Sequence, residues 1–319
     1  MVDLSVQIEI AGGLSWERWA RLVAEVDRLG YRGLYICDHF FPPGTGYTDS
    51  VEIFLAFAHG VSRSQRLEFG SLVSPVSFRD PRFLIRQAMH LDNLSGGRFV
   101  LGVGAGWMER EHDAFGYELG DKRTRSSRLA EALEVMSLLN KHEEPVSFDG
   151  SFYKLREAKI LPRAARPGGV RIMVGGSGPQ RTLPLTARYA DVWNSGGRPP
   201  EQYREISTRL DELLVRNGRQ PRDLRRTLMV QVVPIRNESE ILPRLRHVAR
   251  QHPGQSPKEL LAGFRERSPS AIVGTPAECV ERIAAYAAAG VEEIMVQRLD
   301  LDDDEGLRVI AEEVAPHLG

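Results

Sequence analysis

Short apolar runs alternate with helical patterns along the whole chain, and this alternation restricts the fold more than any single motif. Leu4–Ile10, Gly33–Cys37, Leu67–Val73, Phe99–Val103, Val170–Val174, Asp191–Asn194, Thr227–Ile235 and Glu293–Val296 read as strands. Between them lie helical patterns. Trp16–Leu29 has Ser15 as its N-cap and Gly30 as its stop, and Pro81–Leu94 carries proline in its first turn and halts at Ser95-Gly96-Gly97. Val51–Ser64, Thr124–Asn140, a segment ending at Arg188, Pro200–Asn217, a segment from Pro276 to Ala289 and Asp303–Leu318 complete the set. Strict strand–helix alternation calls for a parallel sheet. Eight such units in 319 residues exceed the ~250 of a plain barrel. The expected fold class is therefore α/β, a (β/α)8 TIM barrel with insertions after strands 4 and 7. An open doubly wound sheet is the alternative, but no second half differs in character from the first. One domain over 1–319 is expected, with an inserted loop at about 104–123, a hairpin at about 145–155 around Asp149-Gly150, and extra helices at about 238–267 broken near Pro253-Gly254.

Composition closes off other classes. The formal net charge of -1 gives no basic surplus to draw the chain to nucleic acid or a membrane surface. No apolar run is long enough to span a bilayer, and the first residues lack the pattern of a secretory signal, so a cytoplasmic location is expected. Cys37 and Cys279 are isolated thiols, which suits a reducing compartment. There is no GxSxG elbow and no HExxH, and no metal site is expected, since Glu111-His112-Asp113 has no further spaced ligands.

In a barrel, chemistry gathers where strands end at the C-terminal face. Asp38 and His39 follow strand two in a loop running to Pro42-Pro43, Ser71–Pro75 follow strand three, Gly104–Glu109 strand four, Gly175–Gly178 strand five and Asn194–Gly197 strand six. An Asp-His pair at a strand end is a candidate for proton transfer near neutrality. Gly102, Gly104 and Gly106 end the fourth strand in bare backbone, which reads either as a cofactor floor or as a plain tight turn. It is not a dinucleotide fingerprint, because the spacing is not GxGxxG and a long loop follows. Gly175–Gly178, with Pro179 at the start of the next helix, reads either as an anion nest for a phosphate or as an ordinary glycine-rich loop.

Several of these segments together carry a resemblance. They are Cys37-Asp38-His39-Phe40, Ser71–Pro75, Leu91–Arg98 running into the glycine strand up to Trp107, Gly175–Pro179, Arg188–Trp193 and Gly274-Thr275-Pro276. The chain resembles the luciferase-like flavin and deazaflavin oxidoreductases nearly end to end, most closely the branch using coenzyme F-420, an 8-hydroxy-5-deazaflavin, with flavin mononucleotide (FMN) as the alternative cofactor. The resemblance implies hydride transfer between the deazaflavin and a small organic substrate. It makes His39 the acid/base, with Asp38 orienting it or bonding the ring. It places Asp38, His39, Ser71, Leu72, Gly104, Ala105, Gly106, Gly175, Gly176, Ser177 and Gly178 around the cofactor, with a non-prolyl cis peptide at Ser71-Leu72 and the phosphate on Gly176 and Ser177. Phe40, Trp107 and Glu109 then face the substrate. Trp107 stands where the family's sugar-phosphate dehydrogenases carry an acid, and Gly197-Arg198 where they carry a lysine, so the expected substrate is flatter and more apolar than a phosphorylated sugar. An FMN-dependent monooxygenase using reduced flavin and oxygen is the alternative activity. The resemblance also implies a homodimer and allows a separate reductase supplying reduced cofactor.

Overall fold

The computed structural model describes residues 2–42 and 46–318, so Pro43 of the loop after strand two lies outside the described residues. Eight parallel strands close on themselves: β1 Asp3–Ile8, β2 Gly33–Ile36, β3 Glu68–Ser71, β4 Phe99–Gly104, β5 Arg171–Gly175, β6 Val192–Gly196, β7 Arg225–Val230 and β8 Glu293–Arg298. Each pairs with its neighbour in sequence, and β8 returns to β1 in register from Asp3 opposite Glu293 to Ile8 opposite Arg298. The expected (β/α)8 barrel is therefore present. Its strands read as apolar runs because both of their faces are covered.

The helices pack outside, and their apolar sides form one continuous core with the outward faces of the strands. They include α1 Trp16–Arg28, α2 Ile53–Val61, α3 Pro81–Ser95, α4 Glu109–Phe115, α5 Lys122–Lys141 and α6 Thr182–Tyr189. Ser15 caps α1 through the Arg18 amide, and Gly96 ends α3 in the left-handed conformation, as the sequence predicts. Inside the barrel Tyr35, Leu72, Val100, Met173, Val192 and Met295 make a second apolar layer. Below it, at the N-terminal end, Glu68 and Glu293 are buried among Arg171, Arg225, Tyr35 and Ser5 in a closed ionic plug.

Four sequence expectations change. The segment at 104–123 is not all loop: α4 lies within it, ended by Gly116 in the left-handed region. The hairpin turns on four residues, not on Asp149-Gly150 alone, because Asp149 pairs with Lys154 and the Glu131 carboxylate accepts from the amides of Ser151, Phe152 and Tyr153. The run Thr227–Ile235 divides at Gln231, and Val232–Pro234 pairs with Ile272–Gly274 instead of the barrel. That small sheet roots the segment 238–267, whose Ile241, Leu245, Leu260 and Phe264 form an apolar cluster of their own. Finally, α6 starts at Thr182, three residues after Pro179, because the Leu183 amide turns back to Gly178 O at 3.0 Å.

Candidate active site

A cavity of about 580 Å³ opens at the C-terminal mouth of the barrel. His39, Leu72, Gly106, Trp107, Gly175 and Gly176 line it. Other candidate residues sit elsewhere, for reasons the local geometry supplies.

Adjacent residues of an extended strand end point in opposite directions. His39 faces the cavity, so Asp38 turns the other way, and its side chain is 4% exposed. Both Asp38 oxygens are taken by Arg79, from Nη2 at 2.8 Å and Nε at 3.0 Å. Burial pushes the Asp38 carboxyl up, while the Arg79 guanidinium works against that rise. Asp38 is thus tied to Arg79 and does not line the cavity, whereas the sequence expectation has it orienting His39 or bonding the ring. The partner of His39 is Glu111 on α4, with its carboxylate oxygens 3.2 and 3.3 Å from Nδ1. The same carboxylate accepts the Phe40 amide at 2.6 Å and is 1% exposed. Glu111 and His112 form the buried side of α4, and Glu109, two residues from Glu111 on a helical wheel, is exposed and does not line the cavity. His112 is satisfied, with Nδ1 2.8 Å from Met108 O and Nε2 2.7 Å from Ser77 Oγ. Trp107 sets its ring edge-to-face with His39 at 5.7 Å. Phe40 is stacked on Phe115 at 4.1 Å, outside the cavity lining, so its expected substrate role is not supported by its position.

The glycines in the last residues of β4, Gly102 and Gly104, have a different cause from bare backbone offered to a ligand. A Cβ at Gly102 would stand 1.9 Å from Ser71 O, and one at Gly104 2.7 Å from Val73 Cγ2. They make room for the end of β3. Ser71 is fully buried and staples the two strands, donating to Gly102 O at 2.8 Å and accepting its amide at 3.1 Å. Neither Ser71 nor Gly104 reaches the cavity; the segment they admit does, through Leu72 and Val73. The non-prolyl cis peptide is Leu72-Val73, one bond later than expected, because the Leu72 amide still donates to Ile36 O at 2.8 Å and keeps the ladder going.

At the glycine turn after β5, the Gly176 amide is committed to Asn194 O at 2.9 Å, so it is not free to serve an anion. Ser177 Oγ lies 3.3 Å from Ser195 Oγ. Gly178, with Ala105 and Gly106, lines a second cavity of about 440 Å³ that adjoins the first at Gly106.

Sequence reasoning missed Glu9, Met229 and Gln297, which also line the main cavity. They stand at or just past the C-terminal ends of β1, β7 and β8, so the strand-end rule would have found them had it been carried round the whole barrel. Gln297 Nε2 donates to Glu9 Oε1 at 3.0 Å, locking the two across the β1–β8 seam. Gln251 comes from the segment after β7, where no pattern marked it. Among the described residues lining this cavity there is no Lys or Arg; Arg198 instead donates to Ser195 Oγ at 2.7 Å.

Comparison with known proteins agrees with the barrel. A family model described as luciferase-like monooxygenase matches residues 4–293. An F420-dependent glucose-6-phosphate dehydrogenase of Microbacterium testaceum is 30% identical over 310 residues, covering 92% of this chain and 90% of the relative. A 4-hydroxyprotoasukamycin monooxygenase of Streptomyces nodosus subsp. asukaensis is 32% identical over 188 residues, but the match takes in 59% of this chain and 49% of the relative. Among solved structures, an F420-dependent secondary alcohol dehydrogenase bound to an F420-acetone adduct superposes with a TM-score of 0.82 at 17% identity, covering 100% of this chain and 99% of that one.

Proposed function

We propose that this chain, an enzyme that belongs to the luciferase-like monooxygenase family, is an F420-dependent oxidoreductase acting on a small, uncharged organic substrate such as an alcohol or ketone, an enone or an imine. The observation that carries the cofactor reading is the full-length match to a relative named as F420-dependent. The residues fit such a group. Leu72 and Val73 supply an apolar surface, and at Gly196 an added Cβ would meet nothing within 4 Å, so that wall is free of side chains. The absence of Lys and Arg from the described lining argues against a phosphorylated sugar.

Leu72, Val73, Gly106, Gly175 and Gly176 would hold the ring system, and the residues around Gly178 its phosphate. When bound, the deazaflavin supplies hydride exchange at its carbon 5. The protein supplies proton movement. With Nδ1 against the buried Glu111 carboxylate, His39 has its tautomer set, leaving Nε2 to give or take the proton at the substrate oxygen or nitrogen. Trp107 packs on His39 and, with α4, narrows the approach of water.

The test is the absorbance spectrum of the protein purified from a host that makes both cofactors. A deazaflavin spectrum is expected, and a flavin spectrum with no deazaflavin overturns the reading. The second reading, an FMN-dependent monooxygenase using reduced flavin and oxygen, is favoured by the 32%-identical monooxygenase relative. It predicts that, with reduced FMN and oxygen supplied, an oxygen atom is transferred to an organic substrate beyond the peroxide that free reduced FMN gives alone.

A further inference from the structure

Among the described residues of the segment 238–267, Gln251 alone lines the main cavity. The segment's helices, Ile241–Arg244, Arg246–Ala249 and Pro257–Arg267, close on Leu245, Val248, Leu260 and Phe264, a cluster separate from the barrel core. Its seat on the barrel is polar instead. Arg244 donates to Asp303 at 2.6 Å and Arg246 Nε stands 3.8 Å from Asp300, while Arg236, just ahead of the segment, reaches Glu305 and Glu313 at 3.0 and 3.1 Å. A seam made of charges responds to a change of charge within it, and a unit with its own small core can come away while the barrel stays folded.

In this seam a cavity of about 30 Å³ lies between the segment and the end of β8. Arg244 and His247 line it from one side, and Arg298, Asp300 and Asp303 from the other. Gln297 and Leu299, on either side of Arg298, line both this cavity and the main one, so the end of β8 is the wall between them. The neighbouring charges each hold a partner: Arg298 donates to Asp300 O at 2.9 Å, Asp300 accepts the Asp302 amide at 3.0 Å, and Asp303 accepts the Gly306 amide at 3.1 Å besides Arg244. His247 Nδ1 is sealed from solvent with no hydrogen-bond partner among the described residues. A neutral imidazole can keep a lone pair at that nitrogen, whereas an imidazolium must bury an N–H there. The added charge would face Arg298 across the seam and Arg244 and Arg250 from its own segment, with Asp300 and Asp303 opposing them. Burial is the largest influence and holds the imidazole below its ordinary 6.5. We propose that His247 is a proton-sensitive seat for the segment 238–267: neutral, it lets the segment dock on the end of β8 with Gln251 in the main cavity, and protonated, it releases the segment and opens that side of the cavity. The docked form binds this proton less tightly than the released one, so docking is fully favoured above pH 6.5 and weakens as pH falls below it. The seat works whichever cofactor the barrel holds.

The experiment is amide hydrogen exchange on the full chain without ligand, for wild type, His247→Gln and His247→Arg, between pH 5.5 and 7.5, with rates corrected for the intrinsic effect of pH. Peptides covering 241–252 report the segment, and those covering β4 and β5 report the barrel and show that each variant is folded. Wild type should lose about threefold to tenfold of its protection over 241–252 as pH falls through this range, with β4 and β5 losing none. His247→Gln, neutral throughout, should keep the protection of wild type at pH 7.5 across the range. His247→Arg, charged throughout, should show the low protection already at pH 7.5. Glu293, pushed up to about 7, also titrates here, but it lies at the other end of the barrel and is common to all three proteins. Flat protection in wild type overturns the proposal. So does a loss in His247→Gln equal to that of wild type, which assigns the response to other groups, and so does full protection in His247→Arg, which removes charge at this position as the signal.

Discussion

Replacing Arg79 with Met tests whether Asp38 is a structural group and not a ligand of the cofactor. The Asp38 side chain is 4% exposed and that of Arg79 23%, with contacts of 2.8 and 3.0 Å that put the charge centres about 4 Å apart. At the effective dielectric of such sites that attraction is worth about 4 kcal/mol. The partial exposure of Arg79 trims the expected destabilisation of Arg79→Met to about 3 kcal/mol. The loss depends on pH. Burial raises the Asp38 carboxyl above its ordinary 3.8 even with Arg79 present, and removing the guanidinium deletes the main opposing influence. A carboxyl that binds its proton more tightly folded than unfolded gives stability that is present at low pH and lost as pH rises through its folded value. The deficit of Arg79→Met should therefore be larger at pH 8 than at pH 5 in urea denaturation. Adding Asp38→Asn removes the stranded charge and should recover about 2 kcal/mol at pH 8. The affinity of the double variant for deazaflavin should stay within about threefold of wild type, since neither group lines the cavity. A pH-independent deficit, one under about 1 kcal/mol, or a large loss of cofactor affinity in the double variant refutes the reasoning.

Other expectations concern the remaining parts of the site and the plug. Glu111→Gln keeps an acceptor for the Phe40 amide but removes the charge beside His39; turnover should fall about tenfold to a hundredfold with cofactor affinity unchanged, as steady-state kinetics and binding titrations would show. Gly102→Ala forces a Cβ to within 1.9 Å of Ser71 O and should cost roughly 3 kcal/mol or more, whereas Gly196→Ala, with nothing within 4 Å, should cost under ~1 kcal/mol; urea denaturation compares them. In the plug, burial pushes the Glu293 carboxyl up to about 7 from 4.5, so its contribution favours the fold below that range and fades as pH rises through it. Glu293→Gln should flatten the dependence of stability on pH between 5 and 8, and an unchanged slope would contradict this.

The barrel was legible because its strands are buried on both faces and so read as apolar runs separated by capped helices. His39 was legible because strand ends are where barrels place chemistry. What surrounds His39 was not. Arg79 lies 41 residues beyond Asp38, and Glu111 lies 72 beyond His39, so neither pairing leaves a local trace. Glu111 also sits on a helix of seven residues inside a stretch whose composition reads as loop. Gly102 and Gly104 stand out in the sequence, but their purpose depends on Ser71 and Val73, which are brought alongside only by the pairing of β3, and of Ser74-Pro75 beyond it, with β4.

The most direct measurement of the central claim is an anaerobic binding titration of the purified protein with F-420 and with FMN under the same conditions, followed by fluorescence. Saturable binding of F-420 in the micromolar range is expected, with FMN at least tenfold weaker. No binding of F-420 below millimolar concentration, or tighter binding of FMN, contradicts it.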